Sequence, residues 1–159
     1  MQLRIGHSTD IHQLVEGRDL ILGGVKIPHH KGLLGHSDAD ALLHAITEAI
    51  IGALGLGDIG KHFPDTSNEY KDIDSTILLR NSFKLAKEKG YKINNLDSTI
   101  FIERPKMAPH IPHMKEKIAE ILETEEDNIN IKATRGEKIG FIGREEGVTC
   151  EAVVLLIRD

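Results

Sequence analysis

Apolar and polar residues follow two different periods along the chain. Over residues 38–54, apolar side chains recur every three or four positions, as they do on one face of an α-helix. Ser37 or Asp38 can cap the start of this helix, and Gly55 can end it. The same period predicts two further helices, at residues 75–89 and 111–123.

Shorter segments rich in apolar and β-branched residues predict five strands. These are residues 3–14, 19–27, 91–103, 128–133 and 148–157. Gly23 and Gly24 predict a bulge or bend inside the second strand. Residues 28–35, 55–74 and 134–147 are expected to be loops. The order of elements predicts an α/β fold of the α+β sandwich type, a mixed β-sheet with three helices on one face.

Composition limits the class of protein. A length of 159 residues and ordinary apolar content predict a single domain over residues 1–159. A net charge of −5, with four Phe, two Tyr and no Trp, argues against a nucleic-acid-binding protein. Cys150 is the only cysteine, so no internal disulfide is expected. No signal peptide or membrane-spanning run is evident, which predicts a soluble, cytoplasmic protein.

Histidine is the residue type that stands out, because seven of the nine histidines lie within the first 62 residues. Histidine can ligate a metal, carry a proton or simply face solvent. In the first predicted strand, Asp10 and His12 are two positions apart and therefore point to the same face. Taken alone, this spacing is more often that of a surface Asp–His pair.

A second Asp/His cluster lies at the start of the first predicted helix. Asp40 and His44 are four positions apart and share a helix face. Together, Asp10, His12 and His44 would give a metal three nitrogen and oxygen ligands with a fourth position open, as in a catalytic zinc site. Because no cysteine ligand accompanies them, a closed structural zinc site is not expected.

Three further segments offer chemistry with an ordinary alternative beside each. The Gly/Asp-rich residues 57–65 can approach a polyhydroxy substrate or form a simple connection. In residues 105–112, Lys106 can hold a phosphate, whereas the prolines equally suit a rigid helix entry. Residues 134–147 carry hydroxyl, guanidinium and carboxylate groups that suit a phosphate–Mg²⁺ contact or a charged, solvated loop.

In this order, the segments resemble the 2-C-methyl-D-erythritol 2,4-cyclodiphosphate synthase family of the non-mevalonate isoprenoid pathway. The resemblance extends over nearly the whole chain. It is carried by Arg4-Ile5-Gly6-His7 with Asp10-x-His12, by residues 31–38, 57–65 and 105–112, and by residues 140–152. It implies a lyase, assembled as a homotrimer with active sites at subunit interfaces, that cyclises 4-diphosphocytidyl-2-C-methyl-D-erythritol 2-phosphate and releases CMP. The implied partners are this small substrate and other copies of the chain, with neither nucleic acid nor membrane.

The resemblance also implies roles for individual residues. One Zn²⁺ per subunit would be held by Asp10, His12 and His44, with Asp40 supporting the two histidines. Glu137 would ligate Mg²⁺ on the substrate diphosphate, and Lys106 would offset charge on the leaving CMP. The methylerythritol phosphate would be surrounded by His36, Ser37, Asp58, Gly60, Phe63 and Asp65. The cytidine side would be formed by Lys106, Met107 and Ala108, with Ala133 and Thr134 nearby. A central cavity for an isoprenoid-like ligand would lie beside Phe141 and Arg144.

Two departures from the family pattern are visible. Arg135-Gly136 replace small hydroxyl or amide residues, which puts the hydroxyl contacts to the diphosphate in doubt. Ser8-Thr9 replace a glycine and a large apolar residue before Asp10. Two alternative functions stay open at this point: a metal-dependent phosphohydrolase that activates water, and a non-catalytic trimer that binds zinc or an isoprenoid.

Overall fold

The computed structural model describes residues 1–159, which form seven strands and five α-helices. The strands are β1 (Gln2–Glu16), β2 (Leu20–Leu22), β3 (Val25–Ile27), β4 (Lys31–Leu33), β5 (Lys92–Phe101), β6 (Ile129–Thr134) and β7 (Gly147–Arg158). The helices are α1 (Ala41–Ala53), α2 (Ile59–His62), α3 (Ser75–Glu88), α4 (Ile111–Ile121) and α5 (Gly140–Gly143). None of these helices has the length and apolar character needed to cross a membrane.

Five of the strands form one mixed sheet in the order β4-β1-β7-β5-β6. Every neighbouring pair is antiparallel except β5 with β6, which is parallel. One row of paired residues crosses the sheet from Asp10 through Cys150 and Ile100 to Ala133. Strands β2 and β3 form a separate hairpin.

Helix α1 packs on one face of the sheet, against β1 and β7. Its apolar residues recur at helical spacing, and ten of its 13 residues are buried. The helix approaches β1 so closely that a Cβ atom at Gly6 would lie 1.8 Å from the carbonyl oxygen of Ala49. This packing requires glycine at position 6 and places His44 of α1 against β1.

The opposite face of the sheet carries large exposed apolar side chains. Leu3, Ile5 and Ile11 on β1 are 52%, 72% and 57% exposed, and Val153 on β7 is 39% exposed. Residues at the alternate positions of both strands are turned towards α1, so the exposed residues share one side of the sheet. A sheet face that exposes several large apolar side chains is typical of a contact with another protein chain.

The long elements agree with the sequence-based predictions, but the segment between β1 and α1 does not. Residues 19–27 form the hairpin β2–β3 rather than one bulged strand. The reason is that Gly23 and Gly24 both adopt positive φ angles, 62° and 74°, as a two-residue hairpin turn requires. Lys31–Leu33, expected in a loop, forms the edge strand β4 beside β1.

The helices differ from the prediction in three respects. Helix α1 starts at Ala41, and its N-cap is Asp40 rather than Ser37 or Asp38. The expected loops 55–74 and 134–147 contain the one-turn helices α2 and α5, which are too short to produce a periodic pattern. Five helices are present rather than three; of the three long ones, α1 lies on the central strands, α3 packs against α1, and α4 packs against β6.

Candidate metal centre and two cavities

Three side-chain atoms converge where β1 meets the first turn of α1. Oδ2 of Asp10 lies 2.8 Å from Nε2 of His12 and 3.2 Å from Nδ1 of His44. The two histidine nitrogens are 3.3 Å apart. The structure therefore confirms that these three residues form one cluster able to hold a divalent metal.

Two of the three spacings, 3.2 Å and 3.3 Å, match tetrahedral coordination, and the third, 2.8 Å, is a hydrogen-bond distance. Zinc bonds to histidine nitrogen and carboxylate oxygen at about 2.0–2.1 Å, which places neighbouring ligand atoms of a tetrahedron about 3.3 Å apart. Two imidazole nitrogens and one carboxylate oxygen are donors typical of zinc and neighbouring transition metals, whereas magnesium prefers oxygen ligands. A tetrahedral metal held by these three residues would keep one position for substrate or water.

Contacts on the far side of each ring determine which nitrogen is free for a metal. Nδ1 of His12 lies 2.8 Å from the carbonyl oxygen of Leu34, so Nδ1–H donates there and the Nε2 lone pair points into the cluster. Nε2 of His44 lies 3.0 Å and 2.9 Å from the hydroxyl oxygens of Ser37 and Ser75. Donation from Nε2–H to these oxygens leaves the Nδ1 lone pair of His44 free.

Ser75 connects His44 to a further carboxylate. The Ser75 hydroxyl donates to Oδ1 of Asp38, and its backbone N–H donates to Oδ2 of the same residue at 3.0 Å. With its own proton committed to Asp38, the Ser75 oxygen accepts from His44. Ser75 is fully buried at the start of α3, 31 residues beyond His44, and no motif identified it from the sequence.

The contacts within the cluster shift two pKa values. Burial opposes ionisation of Asp10, but the hydrogen bonds and charges of His12 and His44 outweigh it and lower its pKa from 3.8 to about 2. Burial likewise disfavours a protonated His12, yet the hydrogen bond and charge of Asp10 prevail and raise the pKa of His12 above 6.5. A metal that binds here must therefore displace a proton that His12 holds more firmly than free histidine does.

The Asp40 carboxylate forms no hydrogen bond with the ring of His12 or His44, contrary to the role that the resemblance implied. Its Oδ1 accepts from the backbone N–H groups of Gly23 and Leu43, both at 3.0 Å, and its Oδ2 accepts from that of Gly24 at 2.7 Å. These bonds join the start of α1 to the hairpin turn, and complete burial raises the pKa of Asp40 to about 7. The groups behind the histidine rings are instead those of Leu34, Ser37 and Ser75.

The three ligands open onto a cavity of about 310 Å³, which we call the metal cavity. Five of the six residues expected around the methylerythritol phosphate line it, namely His36, Ser37, Gly60, Phe63 and Asp65. The sixth, Asp58, caps α2 by accepting from the backbone N–H of Lys61 at 3.1 Å. Four further lining residues were not among those six: Ile59 and Pro64, which lie within the Gly/Asp-rich segment 57–65, and Tyr70 and Leu78.

A second cavity, of about 460 Å³, lies at the β6 edge of the sheet. We call it the Lys106 cavity. Its wall contains all six residues predicted for the cytidine and diphosphate side, namely Lys106, Met107, Ala108, Ala133, Thr134 and Glu137. Ile102, Glu103, Pro105 and Arg135 also line it and were not among those six. The Glu103 carboxylate accepts from the backbone N–H groups of Gly136 and Lys138 at 3.3 Å and 2.9 Å, which folds the loop that carries Glu137.

The two cavities are separate within one chain, since no residue lines both. Asp10 and Ala133 lie in the same row of the sheet but three strand spacings apart, a distance of about 14 Å. The candidate residues thus form two groups, one around the metal ligands and one around Lys106.

Phe141 and Arg144 line neither cavity. Phe141, on α5, is 40% exposed. The exposed Arg144 follows α5 and pairs with Glu146, with 3.0 Å between Nε and Oε1. Both residues therefore stay candidates for a role outside the two cavities.

Comparison with known proteins identifies the family of this chain. The family model described as the YgbB family matches residues 3–157. The chain belongs to the YgbB family. This match confirms the resemblance that the sequence motifs indicated.

Named YgbB-family relatives and solved structures agree with this assignment. The chain is 62% identical to the 2-C-methyl-D-erythritol 2,4-cyclodiphosphate synthase of Geobacillus sp. (strain WCH70) over 153 residues. The aligned residues cover 96% of this chain and 97% of that protein. It resembles the bifunctional IspDF of Campylobacter jejuni with a TM-score of 0.93 and 41% identity, over 98% of this chain but only 42% of that one. It also resembles a CDP complex of IspF from Plasmodium falciparum, with a TM-score of 0.87, 36% identity and coverage of 99% and 97% of the two chains.

Proposed function

We propose that this chain converts 4-diphosphocytidyl-2-C-methyl-D-erythritol 2-phosphate to 2-C-methyl-D-erythritol 2,4-cyclodiphosphate and CMP. The observation that carries the proposal is the cluster of Asp10, His12 and His44, which opens onto a cavity in a chain 62% identical to a synthase of that name. Further support comes from the match between both cavity linings and the residues that the family motifs indicated.

The proposed reaction needs no nucleophile from the protein. An oxygen of the substrate's 2-phosphate forms a bond to the β-phosphorus. The bond from the β-phosphorus to the oxygen that bridges it to the α-phosphate breaks, and CMP leaves with that electron pair. The enzyme must bring one anionic group onto another, a task of positioning and electrostatics, for which oriented intramolecular reactions gain about 7–11 kcal/mol.

Two metals fit the donor groups of the chain. Zn²⁺ at Asp10, His12 and His44, together with Mg²⁺ at Glu137, would supply Lewis acids that offset phosphate charge. Glu137 lines the Lys106 cavity and has no hydrogen-bond partner within the chain, so its carboxylate is free. One carboxylate combined with substrate phosphate oxygens is a usual environment for magnesium.

The Lys106 cavity is the proposed place for the cytidine diphosphate part of the substrate. Its wall combines the cation of Lys106 with the buried apolar side chain of Met107 and the small side chains of Ala108 and Ala133. A solved structure of a relative is described as a CDP complex, which supports a cytidine nucleotide as the ligand class.

A homotrimer would bring the two cavities together. Each chain offers an exposed apolar sheet face, formed by Leu3, Ile5, Ile11 and Val153, that a second copy could cover. In this proposal, the metal cavity of one subunit meets the Lys106 cavity of its neighbour, and Phe141 and Arg144 lie near the three-fold axis. Residues 1–159 then act as one catalytic domain, in the cytoplasm.

Phosphorus NMR of the purified protein with substrate, Mg²⁺ and Zn²⁺ tests the proposed reaction. We expect the resonances of a cyclic diphosphate and of CMP to appear together. Free inorganic phosphate would indicate a metal-dependent phosphohydrolase, and an unchanged spectrum would indicate a non-catalytic binding protein. Either result overturns the proposal.

A further inference from the structure

A second side-chain contact joins β1 to α1, beside the cluster of Asp10, His12 and His44. Ser8 precedes Asp10 by two positions on the same face of β1, and Glu48 follows His44 by one turn of α1. The Ser8 hydroxyl donates to Oε1 of Glu48. The two elements that supply the metal ligands are thus joined again, through side chains that do not line the metal cavity.

Glu48 also holds the segment that forms one wall of the metal cavity. Its Oε2 accepts from the backbone N–H of Ile59, the first residue of α2, at 3.0 Å. The first N–H groups of a helix have no partner within the helix, and Glu48 satisfies one of them from α1. Asp58 satisfies another by accepting from Lys61. Between them, these two carboxylates fix both the start of α2 and its attachment to α1.

The attachment bears directly on the cavity, because its wall contains Ile59 and Gly60 of α2 and then Phe63 and Asp65. Ser8 is 6% exposed, so its hydroxyl is withdrawn from solvent and committed to Glu48. With Oε1 held by Ser8, the second oxygen of Glu48 is directed at Ile59. A hydrogen bond to a charged acceptor in a partly buried setting is among the stronger kinds.

We propose that Ser8 and Glu48 are positioning residues that fix residues 59–65 relative to the metal ligands. Glu48 anchors Ile59, and Ser8 holds the Glu48 carboxylate in the orientation that the anchor needs. Neither residue touches the substrate. The kinetic part of this inference rests on the proposed function, whereas the anchoring itself does not.

Amide hydrogen exchange tests the anchor without any substrate. In Glu48→Ala, we expect the amide of Ile59 to exchange about ten- to hundredfold faster than in the unaltered protein, the range for loss of a hydrogen bond to a charged group. Ser8→Ala should accelerate the exchange of Ile59 less. In that variant the Glu48 carboxylate can still accept from Ile59, although Ser8 no longer orients it. Glu48→Gln should largely restore protection, since its amide oxygen can accept from Ile59 while its NH₂ donates to Ser8.

Ser82→Ala provides the matched control. Ser82 is also a buried serine, but its hydroxyl donates to the carbonyl oxygen of Leu79 within α3 and does not contact residues 59–65. We expect Ser82→Ala to leave the exchange of Ile59 unchanged. Equal acceleration in Ser82→Ala and Ser8→Ala, or no acceleration in Glu48→Ala, overturns the inference.

Kinetics then separate positioning from simple loss of stability. We expect Glu48→Ala to lower kcat/KM about tenfold at full zinc content, with Glu48→Gln within about threefold of the unaltered protein. If Glu48→Ala does not fold, Ser8→Ala and Glu48→Gln carry the comparison. If the unaltered protein makes no cyclic product, only the proposed function is refuted. The exchange rate of the Ile59 amide still tests whether Glu48 anchors Ile59. Fast exchange without any fall in kcat/KM refutes the positioning role alone.

Discussion

The hydroxyl oxygen of Ser75 lies 2.9 Å from Nε2 of His44. This contact places the proton of His44 on Nε2 and turns the Nδ1 lone pair towards Asp10 and His12. The Ser75 hydroxyl can accept from His44 because its own proton is donated to Asp38. The orientation of the His44 ring therefore depends on the first residue of a different helix.

Ser75→Ala is expected to weaken zinc binding about tenfold to a hundredfold, the usual effect of removing a group that orients a ligand. Competition with a chromophoric chelator measures the affinity. Ser37 also contacts Nε2 of His44, at 3.0 Å, so Ser37→Ala should cause a comparable loss and the double variant a larger one. Unchanged affinity in the double variant would contradict this account of His44. Ser82→Ala serves as the control.

His44→Ala is expected to abolish both stoichiometric zinc binding and cyclic product formation, because only two protein ligands remain. The imidazole is partly exposed to the metal cavity, so its removal leaves the packing of α1 largely intact. Zinc analysis, circular dichroism and phosphorus NMR on the same sample check this. A folded variant that retains both zinc and activity would show that the ligand assignment is wrong.

Zinc affinity should fall as the pH is lowered, starting above pH 6.5. The pKa of His12 in the metal-free protein is raised above 6.5, so below that pKa each zinc ion displaces one proton. The affinity then drops about tenfold per pH unit. Asp10 adds nothing to this slope near neutral pH, because its pKa of about 2 keeps it ionised.

Calorimetric titration of zinc into the metal-free protein measures this effect, in two buffers that differ in ionisation enthalpy. We expect more protons to be released per zinc at pH 6 than at pH 8, because the raised pKa of His12 leaves more of it protonated at the lower pH. An affinity that is the same at pH 6 and pH 8 would contradict the proton competition at His12.

Two inactive variants are expected to restore activity when they share one trimer. His12→Ala disables the metal cavity, and Lys106→Ala disables the other cavity. If each site takes one cavity from each of two neighbours, one of the three sites in every mixed trimer has both halves intact. Co-purification through two different tags, followed by an assay, checks this. An inactive mixed trimer would argue that each site lies within one subunit.

Asp40→Ala is expected to lower the free energy of unfolding by about 3 kcal/mol or more, because it leaves the backbone N–H groups of Gly23, Gly24 and Leu43 without a partner. Asp74→Ala is the matched control, since Asp74 is also an N-cap but is exposed on α3, where the loss should be about 1 kcal/mol. Urea denaturation of the metal-free proteins measures both. Equal losses in the two variants would show that the bonds from Asp40 to the hairpin turn do not contribute to the free energy of unfolding.

Local patterns by themselves indicated the long elements and the cluster of Asp10, His12 and His44. Helix α1 follows from apolar residues at helical spacing, and Asp10 and His12 share a face because side chains alternate along a strand. These features depend on residues close together in the sequence. The family motifs extended this to most of the residues that line the two cavities, but not to Tyr70, Leu78, Ile102 or Glu103.

Only the tertiary structure decided how these parts are joined. Lys31–Leu33 becomes a strand because the end of β1 offers it a partner, and Asp40 turns from the histidines to a hairpin turn 16 and 17 residues away. Ser75 reaches His44, and Glu48 reaches Ser8 and Ile59, across 31, 40 and 11 residues. These hydrogen bonds form only when α1 packs against β1 and α3. No single segment of the sequence contains a pattern that predicts this packing. The order of the strands separates the metal cavity from the Lys106 cavity within one chain, because β7 and β5 lie between β1 and β6.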